Sequence, residues 1–153
     1  MRTVTGIGRL GVLSQRPGGT AAWGEVLAHR GDPEVIAVVR QRFIDHDVTA
    51  DSVVAALDDG GDRIFADATS GRADWAVAHG GAAAAALLAS EVAAYASYLT
   101  SRAASVRSLA VDELLEERSA VEVASELGIS RQKIYEIARG ASKVRDAFTS
   151  EAR

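Results

Sequence analysis

Cysteine is absent from this 153-residue chain. That excludes a disulfide framework and any thiolate metal centre, and it fits a reducing compartment. Proline occurs only at positions 17 and 33, so long helices can run beyond Pro33 without that interruption. Aromatic residues make up 5%, which leaves aliphatic side chains and alanine to build most of any core. A secretory signal is not expected, because Met1–Gly19 is broken by glycines and Pro17 and lacks an apolar centre. Charge is scarce along Gly80–Ser101, where Glu91 is the single charged residue. Alanine gains little from lipid, and a mid-bilayer carboxylate costs ~3 kcal/mol, so no membrane span is expected there.

What is present describes a folded protein. Hydrophobic residues account for 48% and charged residues for 25%. The net charge of −4 argues against a general polyanion binder. The charge is unevenly placed, however. Residues 1–30 carry four arginines against Glu25, whereas residues 31–118 carry seven basic against fifteen acidic side chains. Residues 119–153 carry six basic against five acidic, with the basic ones after Ser130. A local basic face can act on an acidic protein because salt confines its field to ~8 Å.

The periodicity predicts a mainly α fold in four parts. Residues 1–19 form a basic arm, flexible or hairpin-like. They contain the string Gly6-Ile7-Gly8-Arg9-Leu10-Gly11, with Asp32 some way on. A dinucleotide fingerprint needs a strand before it and a helix opening from it, and Pro17-Gly18-Gly19 denies the helix. Residues 20–81 read as a small helical module. Short helices are expected at Thr20–His29, from Asp32-Pro33 through Ile44, and at Thr49–Leu57. Asp62–Thr69 reads as extended around Ile64-Phe65, Arg72–His79 as helical, and Gly80-Gly81 as a break. Asp45-His46-Asp47 points its side chains in different directions and reads as a solvated helix end, not a metal site.

Residues 82–109 give the longest helical signal. Leu88, Val92, Tyr95, Leu99, Val106 and Leu109 recur at heptad spacing, with Arg102 the polar entry. Two readings stand: a seam that pairs with a second copy of the chain, or a central helix on which the preceding helices pack. Residues 110–153 form the last part. Val111–Arg118 supplies a support helix, and a tail helix is expected over Ser142–Ala152.

Within that part, Ser119–Gly140 reads as two helices joined by a tight turn. Ser119 and Glu122 have capping-box spacing. Val123, Ala124 and Leu127 give the first helix an apolar face, and Ala124 is small where the helices would cross. Gly128 stands where the turn needs a left-handed backbone, Ile129 plugs the gap, and Ser130 caps the second helix. Ile134 and Ile137 face back, and Gly140 is expected to end the helix.

This arrangement resembles the helix-turn-helix of bacterial DNA-binding proteins over about a fifth of the chain. The resemblance implies double-stranded DNA as the partner and Ser130–Arg139 as the recognition helix. Arg131 would read guanine, Gln132 adenine, and Glu136 cytosine or a neighbouring arginine. Ser130, Lys133, Tyr135, Arg139, Lys143 and Arg145 would touch phosphates. One such unit covers few base pairs, so a homodimer is expected. The expected role is a cytoplasmic, nucleoid-associated transcriptional regulator without a cofactor. The alternative is a phage-type packaging or recombination accessory protein. His29, His46 and His79 fall in no catalytic pattern, so an enzyme is not expected. Trp23, Phe43, Phe65 and Trp75 would be core, or a pocket for a small effector.

Overall fold

A computed structural model of the chain describes residues 21–151. Every regular element among them is helical. In order they are α1 (Trp23–Val26), a 3-10 turn (Ala28–Arg30), α2 (Pro33–Asp45), α3 (Ala50–Asp58) and α4 (Asp62–Ala68). A second 3-10 turn (Val77–His79), α5 (Ala82–Glu117), α6 (Ala120–Leu127) and α7 (Arg131–Glu151) follow. The arm and its glycine string lie outside the described residues.

The described residues fall into two compact units that divide between Tyr98 and Leu99. Their boundary lies inside α5, not at the expected junction near residue 110. Val111–Arg118 is therefore no separate support helix. No proline or glycine interrupts Ala82–Glu117, and its alanines favour one continuous helix.

In the first unit, helix starts follow local chemistry. Asp32 accepts from the Glu34 amide at 2.8 Å with Pro33 in the first turn, and Thr49 accepts from the Ser52 amide at 3.2 Å. The core gathers Leu27, Val39, Phe43, Val53, Leu57, Ile64 and Leu88. Each such side chain stabilises the fold by roughly 1.5–3 kcal/mol when fully buried. Trp23 stacks on Phe43 with ring centroids 5.7 Å apart.

Two expectations fail here for local reasons. Asp62–Ala68 is a helix, not an extended segment. Gly60 and Gly61 both take positive φ, which turns the chain back into a helical start, and the Asp59 carboxylate accepts from the Gly61 and Arg63 amides. Arg72–His79 carries only the 3-10 turn. The segment is fastened to α4 through Asp67, which meets His79 Nε2 at 2.7 Å and Arg72 Nη2 at 3.6 Å.

The first unit also holds a buried charge. Glu91 on α5 is 1% exposed. Arg30 grips it with Nε 3.1 Å from Oε1 and Nη2 2.8 Å from Oε2, and His29 Nε2 lies 2.5 Å from Oε1. Burial alone would raise the pKa of this carboxyl. Hydrogen bonds from His29 and Arg30, with their charge, outweigh that and hold it below its ordinary value. The same contact raises the Arg30 pKa. His29 packs its edge on Tyr95 at 5.1 Å.

The heptad spacing of α5 is thus used inside the chain at its first three positions. Leu88 is buried, and Val92 and Tyr95 are half-buried against the first core. A seam open along its whole length to a second copy is not what the structure contains. Further along, Leu99 and Val106 are exposed and Leu109 is half-buried. Among the described residues, α5 is also the one helix long and apolar enough to cross a bilayer, and Glu91, held by Arg30, lies within it.

In the second unit Val111 from α5, Ala120, Val123 and Ala124 from α6, and Ile134 and Ile137 from α7 make the core. The helix expected to end at Gly140 continues to Glu151, so no separate tail helix exists. Gly140 serves a crossing instead: a Cβ there would lie 2.8 Å from Ser108 Oγ on α5.

Candidate nucleic-acid interface

The site is built on the turn between α6 and α7. The capping box of α6 is complete. Ser119 donates from its amide and hydroxyl to Glu122 Oε2 at 2.9 and 2.7 Å, and Ser119 Oγ accepts from the Glu122 amide at 3.3 Å. The hydrogen bonds from Ser119 hold the Glu122 carboxyl below its ordinary pKa, which keeps this cap ionised. Gly128 closes α6 at φ 68°, where a side chain would be strained, and the Ile129 amide returns to the Ala124 carbonyl at 3.1 Å. Ser130 Oγ then accepts from the Lys133 amide at 3.1 Å, capping α7. Ala124 is buried at the close approach of α6 and α7, as its small size permits.

With Ile134 and Ile137 inward, α7 presents the opposite face to solvent. Arg131, Gln132, Lys133, Tyr135, Glu136, Arg139, Lys143 and Arg145 are all exposed. The helical period places Arg131, Gln132, Tyr135, Glu136, Arg139 and Lys143 on one broad surface. Arg145 lies to the side and is paired with Asp112 at 2.6 Å. Lys133 Nζ meets Glu136 Oε2 at 3.0 Å. Among the described residues no ion pair engages Arg131, Arg139 or Lys143. These three cations are therefore the ones open to an outside anion. Glu136 and Lys133 would have to exchange each other for a base or phosphate.

One contributor was not legible in the local spacing. Asp112 on α5 joins Gln132, Tyr135, Ala138 and Arg139 around a shallow cleft. It lies 20 residues or more from its neighbours there, so no short motif contains it. Glu122 and Glu126 on α6 are exposed, and Glu126 is neutralised by an ion pair with Arg118.

Elsewhere the sequence candidates scatter. His46 Nδ1 bonds to the Arg42 carbonyl at 2.9 Å. Among the described residues no three His, Asp or Glu side chains gather as a metal site. Trp23 and Phe43 stack in the first core, whereas Phe65 is exposed and Trp75 half-buried. Compared with known proteins, the chain matches no family model, no curated protein and no solved structure.

Proposed function

We propose that the chain is a sequence-specific DNA-binding protein, a dimeric regulator of transcription working in the cytoplasm at the nucleoid. One observation carries this reading: α7 is capped, anchored by Ile134 and Ile137, and turns an exposed face with three unpaired cations and Gln132 outward. Arg131 and Gln132 stand in its first turn, where a helix entering the major groove meets base edges. Arg131 has the planar fork that matches guanine O6 and N7, and Gln132 matches adenine N6 and N7. Arg139 and Lys143 follow the same surface along the helix and suit backbone phosphates, as does the Ser130 hydroxyl. Tyr135 lies between Gln132 and Arg139 and adds a phosphate contact.

Selection of bound sites from random double-stranded DNA tests the reading. Enrichment of paired, inverted half-sites is expected, and absence of any enriched sequence would defeat it. Arg131→Ala should then cost ~1–3 kcal/mol and relax preference at one base pair. A uniform loss across all sequences would move Arg131 to the phosphate contacts.

A further inference from the structure

We propose that the chain pairs as a two-fold homodimer through the outward face of the first half of α5 and the groove beside α4. The proposal rests on the dimeric part of the functional reading and locates the surface that part requires. It also moves pairing away from the heptad seam, whose first three members are already spent on the core of the first unit.

The first observation is the groove. It encloses about 500 Å³ and is lined by Ile64, Phe65, Trp75 and Val92 over a floor of small residues that includes Ala86 and Ala89. Among the described residues no charged side chain lines it. Phe65 stands at its edge, a large apolar side chain left 71% exposed among the described residues.

The second observation is a missing charge. On α5 the positions turned away from the core are Ala82, Ala83, Ala86, Ala89, Ser90, Ala93, Ala96 and Ser97, and all are exposed. None carries a charge. A helix face that meets water is ordinarily polar or charged, as α2 shows with Glu34, Arg40 and Arg42 on its exposed side. The uncharged face excludes nucleic acid and strongly charged peptides as occupants. Small side chains admit a second helix at an axial distance near ~8 Å.

A second copy of the chain supplies both complements. Its own α5 face is equally small and uncharged, and its Phe65 is a projection beside a groove of the same kind. A two-fold axis sets each projection toward the other's groove, which is the self-complementarity a symmetric dimer needs. The available area is small. Sixteen helical residues span ~24 Å. With Phe65 included, the face buries on the order of 500 Å² per protomer, about 1,000 Å² in all, the low end for a specific interface. We set the expected affinity in the micromolar range, tightened by paired DNA sites.

Sedimentation of the full chain across about 1–200 μM, a range around a micromolar Kd, is the test. The parent chain should shift from monomer to dimer within it. Phe65→Glu and, separately, Ala89→Glu should each weaken the dimer at least ~100-fold. Both positions are exposed, so helical circular dichroism equal to that of the parent chain at a concentration where both are monomeric will show that the variants fold. A parent chain that stays monomeric overturns the proposal, including one that instead floats with lipid vesicles. So does a dimer that both substitutions leave intact. The DNA reading fails separately, through an empty site selection with the dimer still present. If both hold, the variants should retain binding to a single half-site and lose cooperativity on paired ones.

Discussion

Among the described residues, the first unit buries one charged side chain, Glu91, while the outer face of its part of α5 carries none; the core of the second is wholly apolar, and its charges lie outside. Glu91 is gripped by Arg30 and His29 from a turn more than 60 residues away in the chain. Glu122, by contrast, is exposed and gripped by Ser119 three residues away. Both carboxyls are held below their ordinary pKa, yet they do different work. The buried one fixes a tertiary contact between the 28–30 turn and α5. The exposed one fixes the start of a single helix. The difference teaches where each unit is vulnerable: the first through a distant partner, the second through local geometry.

The largest break in that comparison should come from Glu91→Ala. It leaves Arg30 and His29 without their anion in a buried setting, a loss of about 3 kcal/mol. Both tryptophans, Trp23 and Trp75, lie in the first unit, so urea unfolding followed by their emission reads this loss directly. An unchanged midpoint would mean that the turn is held by its apolar neighbours instead.

A pH series sharpens the same point. The folded Glu91 carboxyl binds its proton less readily than the unfolded one. Its contribution is therefore complete above the unfolded pKa and is lost as pH falls through the folded pKa. The urea midpoint of the parent chain should drop on acidification from pH near 6 into the range below the ordinary carboxyl pKa of about 4.3. Glu91→Gln should show a flatter profile, and equal slopes would remove Glu91 from the account. The smallest effect belongs to the second unit. Ser119→Ala removes the cap of α6 and should cost ~1 kcal/mol. Helical circular dichroism should record it while tryptophan emission stays put.

The same division explains what the sequence disclosed. The α6–turn–α7 unit was readable because each of its devices is local: the Ser119–Glu122 spacing, the left-handed Gly128, and the recurrence of Val123, Ile134 and Ile137. The mainly helical fold was readable from periodicity for the same reason. The Glu91 cluster was not, since nothing near Glu91 names His29 or Arg30. Its one trace was a lone charge in an alanine-rich run. Periodicity found the buried stripe Leu88, Val92 and Tyr95 but could not say that the chain itself would cover it. Ile64-Phe65 suggested an extended segment, and the cap made by Asp59 with two left-handed glycines overruled it. Gly140 suggested a stop, whereas its missing side chain serves a helix crossing at Ser108. Asp112 reaches the candidate interface only through tertiary packing.

The boundary between the two units falls within α5, between Tyr98 and Leu99, where there is no loop. A protease seeking an exposed flexible strand finds none at that point, only hydrogen-bonded backbone. A cut made there by design would strand up to four carbonyls on one fragment and four amides on the other. Fragments of this protein are therefore better drawn with α5 kept whole on each side, so that the helix is duplicated and not divided.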